Sequence, residues 1–297
     1  MDPVFSIITT CKGRLDHLKQ SLPRMLAQKG AEVIVVDYSC PDGTAAHVEK
    51  HFPAARVVRI EGEKGFSNWK ARNRGAEAAK GQMLVFCDAD TILTPKAIEV
   101  IARSVGKNNF GFFTRASTAH FNKKGLRLEM NQLRGFQVVP VAAFAKLGGY
   151  DEVLEGYAAG GDTDLEERLT FRGFKAKTLG EGIIEDVVEH DNVARFTFHR
   201  EPIKRSYAAG LLYRRAKMAL LKARGTGLNL ADRKRVYEAA RKAANSLDYG
   251  EKKVSLSLNL EQQPIGMPRQ LGFERGQSIV TLTVALDLDE KISAPPL

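Results

Sequence analysis

Two aspartates one residue apart, Asp88-Ala89-Asp90, close the short apolar run Met83 to Cys87. Carboxylates at positions i and i+2 beyond a strand can face one ligand together, and hard oxygen donors of this type hold a divalent cation. A cation there acts as a Lewis acid on a departing diphosphate. An acidic triplet is common in surface loops, so its weight depends on what surrounds it. Arginines are the natural partners of phosphate oxygens because the guanidinium fork matches them in shape and charge. Arg72, Arg14 and Arg195 are the candidates for that contact.

Elements able to position these groups are legible upstream. Apolar runs at Val4 to Thr9, Glu32 to Asp37, Ala55 to Ile60 and Met83 to Cys87 read as strands. Between them Leu15, Leu18, Leu22, Met25 and Leu26 recur at three-and-four spacing, which predicts a helix packed on a sheet over Leu15 to Gln28. Residues 66 to 80 and 95 to 105 also read as helices, the latter opened by Thr94 as cap and Pro95 in the first turn. The order β-α-β-α-β-α-β ahead of the triplet predicts an α/β fold with a mostly parallel sheet. Ligands of such sheets bind beyond the carboxyl ends of the strands, which selects Thr9, Thr10, Asp37, Asp88 and Asp90. Cys11, Cys40 and Cys87 fall near the same ends and read as structural, because small buried thiols outnumber cysteine sites.

Downstream, residues 111 to 139 break into short β-like pieces around the polar turn Asn122-Lys123-Lys124-Gly125. A short helix from Val141 to Leu147, a turn at Gly148-Gly149-Tyr150, a helix from Thr163 to Phe171 and a strand over 183 to 189 follow. Helices over 201 to 224 and 231 to 245 flank the breaker Gly225-Thr226-Gly227, and 253 to 260 with 278 to 286 form a terminal hairpin. The expected division is 1–195 as one domain, with halves 1–110 and 111–195, and 196–297 as an extension.

Residues 195 to 242 hold 14 Lys/Arg against 3 Asp/Glu, an excess of +11 in a chain whose net charge is +10, so the rest of the chain is near neutral. That excess points to an anionic membrane surface, a phosphorylated carrier or a nucleic acid, against the plainer alternative of a solvated helix face. Ile203, Tyr207, Leu211 and Met218 interleave with Lys204, Arg205, Arg214, Arg215 and Lys217, as an interfacial helix would require, although the same apolar residues would also serve packing. No nucleic-acid reader motif is present, which makes that partner the weakest of the three. The odd cysteine count, the lack of membrane-length apolar runs and an N-terminus without a basic leader predict a cytoplasmic protein, peripheral at the membrane's inner face if the basic helices bind lipid.

The segment Ala71-Arg72-Asn73-Arg74-Gly75, then Ala79-Lys80-Gly81, the strand Met83 to Cys87 and Asp88-Ala89-Asp90 resembles family 2 glycosyltransferases nearly position for position. Val35-Val36-Asp37-Tyr38-Ser39-Cys40-Pro41-Asp42-Gly43-Thr44 resembles that family's nucleotide-recognition turn, with Tyr38 where a second Asp is usual. Gly160-Gly161-Asp162-Thr163-Asp164-Leu165 resembles the Gly-Gly-Glu-Asp-x-Asp-Leu motif of family 2 and galactosyltransferase-like enzymes, with Gly161 at the Glu position. The resemblance implies a GT-A fold and metal-dependent, inverting transfer from a nucleoside diphosphate sugar, a UDP-sugar foremost, to a glycan, lipid carrier or other hydroxyl. It implies a donor site of Thr9, Asp37, Tyr38, Arg72, Asp88, Ala89 and Asp90, with Arg72 the arginine best placed by motif. Asp162 would be the general base, with helix capping as its plainer role. Asp90 and His190 would hold the metal, and an imidazole ligand favours Mn²⁺ over Mg²⁺. A sugar-phosphate nucleotidyltransferase uses a similar sheet, but Thr9-Thr10-Cys11-Lys12-Gly13-Arg14 has one glycine where that class is glycine-rich. The other alternative is a catalytically idle module that binds an anionic surface through its basic helices.

Overall fold

The computed structural model describes residues 4–114, 117, 133–154, 156, 159–189, 197–199, 202–246, 253–265 and 276–287. The chain divides into two compact units, one of residues 1–152 with 161–200 and the other of residues 153–160 with 201–297.

The first unit is built on a sheet of seven strands. In chain order these are β1 (Phe5–Cys11), β2 (Ala31–Tyr38), β3 (Arg56–Ile60), β4 (Met83–Phe86), β6 (Asn109–Phe112), β7 (Gln137–Pro140) and β8 (Lys175–Thr178), and they lie in the order β3-β2-β1-β4-β7-β6-β8. The first four are mutually parallel, so Cys11, Tyr38, Ile60 and Phe86 end on one edge. β7 runs antiparallel to both β4 and β6. A separate pair, β5 (Thr91–Leu93) with β9 (Ile184–Val187), is antiparallel. The mostly parallel α/β architecture expected of the sequence is the one present.

Alternation within each central strand feeds two cores. Phe5, Ile7 and Cys11 of β1, Val33 and Val35 of β2 and Met83 and Val85 of β4 join one cluster, with Leu18, Leu22 and Met25 of α1 (Leu15–Leu26). Ile8, Ile34, Val36, Leu84 and Phe86 point to the other face and meet Ala71 of α3 (Asn68–Glu77). Because both faces are covered, these strands are apolar throughout. Each fully buried Leu or Ile contributes about 1.5–3 kcal/mol relative to exposure. The remaining helices of the unit among the described residues are α2 (Thr44–His51), α4 (Ala97–Ser104), α5 (Val141–Lys146) and α6 (Gly161–Phe171). One local expectation fails. Thr94 does not cap α4, whose cap is Lys96, because the Thr94 hydroxyl donates instead to the Gly182 carbonyl at 2.5 Å.

In the second unit α7 (Ile203–Arg224) ends on Gly225 in the left-handed region, and α8 (Leu230–Asn245) is capped by Asn229, whose side chain accepts the Asp232 N–H at 2.8 Å. The Tyr213 and Tyr237 rings pack edge to face at 5.3 Å between the two helices. β10 (Lys253–Ile265) and β11 (Gly276–Asp287) form the antiparallel hairpin, with a register shift between Asn259 and Glu261. Arg214 and Lys217, counted in the sequence as surface charge, are buried, and the Lys217 ammonium lies 5.0 Å from the centre of the Tyr213 ring. Met218 is buried as well, while Tyr207 is exposed.

The glycine of Ala79-Lys80-Gly81 has a packing reason. A Cβ on Gly81 would fall 2.6 Å from the Phe5 carbonyl carbon and 2.8 Å from the Ser6 nitrogen, both rigid backbone atoms of the central strand. Gly81→Ala is expected to destabilise the protein by about 1–3 kcal/mol, the usual range for overpacking. Urea unfolding checks this, with exposed Gln82→Ala expected to stay within about 0.5 kcal/mol of the parent.

Candidate active site

Between β4 and β5 the backbone of Asp88-Ala89-Asp90 is pinned at every carbonyl. Asp88 O accepts from Thr91 N (3.1 Å), Ala89 O from the Ser21 hydroxyl (2.6 Å) and Asp90 O from Val188 N (2.8 Å). The triplet is therefore fixed by α1 and by the residue following β9 before any ligand arrives. Ala89 itself is buried, and the carboxylates are what the turn presents.

Each carboxylate meets an arginine. Asp88 Oδ1 accepts from Arg72 Nη2 at 2.7 Å, and Asp90 Oδ2 lies 3.3 Å from Arg14 Nη1. Arg72 is the largest fully buried side chain of the chain's described part and is 1% exposed, so it serves Asp88 rather than a phosphate in solvent reach. Burial works against its charge, and the neighbouring Tyr150 and Asp88 outweigh that and hold the guanidinium above its ordinary range. Its second fork donates to the Tyr150 hydroxyl at 3.2 Å, and its plane lies over the Phe86 and Tyr150 rings. Asn73 completes the arrangement: it donates to Tyr150 O (3.0 Å) and Glu152 Oε1 (2.8 Å) and accepts from Tyr150 N (2.9 Å). The Arg72-Asn73 pair thus reads both the side chain and the backbone of the turn at Tyr150.

The chain of bonds continues to the segment expected to carry the base. Tyr150 donates to Gln137 Oε1 at 2.6 Å, and Gln137 Nε2 donates to Asp162 O (3.2 Å) and Glu166 Oε1 (2.9 Å). Asp162 lies in the first turn of α6, one residue inside the helix rather than at its cap, and Arg134 Nη1 stands 4.0 Å from its Oδ2 while donating to the Thr163 hydroxyl. Asp164, fully buried, is held by Arg168 at 2.8 Å, and Arg168 also donates to Leu147 O and Gly149 O. Of the two aspartates in this motif, Asp164 is thus tied into the fold. A Cβ on Gly161 would lie 2.5 Å from the Trp69 indole, which explains why no larger residue stands there. Burial, reinforced by Asp162, pushes the Glu166 carboxyl up to about 8.

On the neighbouring strand ends, Asp37 accepts from Cys40 N and Ala45 N, both at 2.7 Å, and so shapes the turn into α2. Tyr38 is buried, its ring edge-on to Phe66 at 5.4 Å, and Thr9 is fully buried, its hydroxyl without a hydrogen-bond partner among the described residues. Lys12, which sequence reasoning did not select, donates to Tyr38 O (3.0 Å), Ser39 O (3.1 Å) and Glu63 O (2.7 Å), joining the ends of β1, β2 and β3. Phe198 lies over the same ammonium at 5.2 Å. Tyr150, Gln137 and Glu166 also escaped the sequence reading; the aromatic position after Gly148-Gly149 was the available signal for the first. His190 and Arg195, and the turn Asn122 to Gly125, lie outside the described residues.

Two of the three cysteines adjoin this edge. Cys40 Sγ accepts from Gly13 N and from the Thr44 hydroxyl, both at 3.1 Å, and the Thr44 hydroxyl lies 3.2 Å from Cys11 Sγ. The Cys11 thiol, assisted by these donors, pushes Cys40 down to about 6, whereas Cys11 and the buried Cys87 are raised. Thiolate is the reactive form. Iodoacetamide at pH 7 is therefore expected to label Cys40 ahead of the other two, with a rate that rises through about pH 6 and disappears in Cys40→Ser; mass spectrometry of the labelled peptides reads the order.

Residues 6–146 match the model of Glycosyl transferase family 2. The fold is similar to mannosyltransferase PcManGT from Pyrobaculum calidifontis in complex with GDP-Man and Mn²⁺, at 16% identity and a TM-score of 0.50, covering 83% of this chain and 71% of that one. It is also similar to S. aureus TarS 1-349 in complex with UDP-GlcNAc, at 14% identity and a TM-score of 0.52, covering 81% and 72%. A search of curated proteins gives no match. Residues 6–146, which hold Asp37, Arg72 and Asp88-Ala89-Asp90, thus match family 2 glycosyltransferases, and the fold around them is similar to that of GT-A enzymes.

Proposed function

We propose that the protein is a metal-dependent, inverting glycosyltransferase that moves a sugar from a nucleoside diphosphate sugar to an acceptor hydroxyl, with Asp162 as general base. The observation that carries this reading is the buried line of hydrogen bonds from Asp88 through Arg72, Tyr150 and Gln137 to the peptide of Asp162. It holds the donor-side carboxylate and the acceptor-side carboxylate in one frame. Preorganisation of that kind is what displacement at a sugar carbon needs, since a leaving group and a base must act on opposite sides of it.

Two carboxylates of the type that hold a divalent cation stand here, and among the described residues no third His, Cys, Asp or Glu joins them. Asp88 and Asp90 supply hard oxygen ligands of the kind a divalent cation takes, and the Asp88 carboxylate packs against Gly135, where a Cβ would fall 1.9 Å from its Oδ2. In this proposal Asp90 is the principal ligand, with His190 from outside the described residues, and Asp88 contacts the nucleotide ribose or metal-bound water. When bound, the metal neutralises charge on the departing diphosphate, and Mn²⁺ suits a site with an imidazole ligand. The protein's own part is distinct. Asp37 and Lys12 fix the turns that receive the nucleotide, Arg72 holds Asp88 in place, and the Asp162 carboxylate takes the acceptor proton as its oxygen attacks.

The neighbours with GDP-Man and UDP-GlcNAc make these the first donors to test, and UDP-sugars remain the favoured class. Among the described residues no helix is long and apolar enough to cross a membrane. A glycan or a lipid carrier approaching from a membrane surface both remain acceptors in this proposal. Asp162→Asn is expected to lower turnover of the accepted sugar nucleotide by about 10²–10⁴-fold, the usual weight of a general base. Asp90→Ala is expected to abolish stimulation by MnCl₂ and to weaken Mn²⁺-dependent UDP or GDP binding in calorimetry. Full turnover in Asp162→Asn rejects the base, and metal-independent turnover in the parent after chelation rejects the metal. Nucleotide binding without turnover of any sugar nucleotide favours the idle-module alternative.

A further inference from the structure

Glu166 stands one helical turn beyond Asp162, at the i+4 position that shares its face of α6. It is neither sealed in the core nor open at the surface, and its Oε1 accepts from the same Gln137 amide that holds the Asp162 carbonyl. Asp162 and Glu167 face it from its own helix, Arg134 from the segment before β7, and Gln137 from β7. Two carboxyl groups therefore sit side by side where one base is enough for the chemistry. Gly161, the residue before the base, has no room for a side chain because the Trp69 ring fills that space. The neighbouring carboxyl on the same face of the helix is Glu166.

We infer that Glu166 is an acceptor-binding residue whose carboxyl hydrogen-bonds a second hydroxyl of the acceptor beside the one Asp162 deprotonates, so that the acceptor is a polyhydroxylated compound, a saccharide or polyol. This inference rests on the proposed role of Asp162. A carboxylic acid both donates and accepts, as a hydroxyl does, and so matches it without bringing a second negative charge next to the base. Placement of the group at about 8 by burial and by Asp162 keeps the acid form through neutral pH.

The test uses the full chain with MnCl₂ and whichever of UDP-GlcNAc or GDP-Man is turned over, offered glycerol, methyl glycosides and 1-propanol. Mass spectrometry counts sugar transferred to the alcohol, and nucleotide release counts transfer plus hydrolysis. Glycerol or a methyl glycoside is expected to receive sugar at least ten times better than 1-propanol. Glu166→Ala is expected to lower the ratio of transfer to hydrolysis at least tenfold, and Glu166→Gln to keep it within about threefold, since an amide also donates and accepts. In the parent that ratio falls as pH rises through about 8, where the acid ionises and loses its donor, and in Glu166→Gln it does not follow that titration. A ratio unchanged in Glu166→Ala, equal transfer to 1-propanol, or stimulation by no member of the panel overturns the inference. Loss of the base assignment reads differently, as full nucleotide release in Asp162→Asn whatever the acceptor.

Discussion

A guanidinium without solvent contact sets the terms for the whole site. Arg72 is 1% exposed, and a charge at that depth is tolerated only when it is paired and its donors are taken up. Asp88 supplies the charge and the Tyr150 hydroxyl an oxygen, both within 3.2 Å. Removing either partner would leave a buried donor unmatched, a loss far larger than the net gain from any one surface ion pair. Tyr150 must in turn be held in place, and Asn73, the next residue along α3, does this through the Tyr150 backbone. Thus the motif surrounding Arg72 is a packing requirement as much as a chemical one, and the turn at Tyr150 is fastened to the strand end that bears the acidic triplet.

How much of this was legible depended on whether the signal was local. The apolar runs of β1, β2 and β4 and the three-and-four spacing of α1 are period arguments, and the elements stand within a few residues of where the pattern puts them. Asp88, Asp90, Asp37 and Arg72 were selected because strand ends and a motif mark them. Their partners were not, because Arg72 to Tyr150 and Gln137 to Glu166 span 78 and 29 residues, and no periodicity reports a contact across that distance. Thr94 shows the same limit at small scale. Its sequence setting is that of a helix cap, and a carbonyl 88 residues away takes its hydroxyl instead.

The basic second unit shows composition misleading in a different way. Counting Lys and Arg locates an excess of charge, and the count says nothing about which side chains reach water. Arg214 and Lys217 are enclosed, the latter with its ammonium against an aromatic face, so part of that excess is spent inside the unit. Long cationic side chains do this readily because their stems are hydrocarbon.

Lys12 has an ammonium with three protons, and Tyr38 O, Ser39 O and Glu63 O take all three. The side chain is saturated as a donor, yet its unit of positive charge stays in place beneath the turns that follow β1, β2 and β3. Two properties that usually travel together in a lysine are separated here. An anion arriving above those turns would feel an attractive field from Lys12 and have no proton of it to bind, so it would be drawn to this edge of the sheet without being held in a fixed orientation by it.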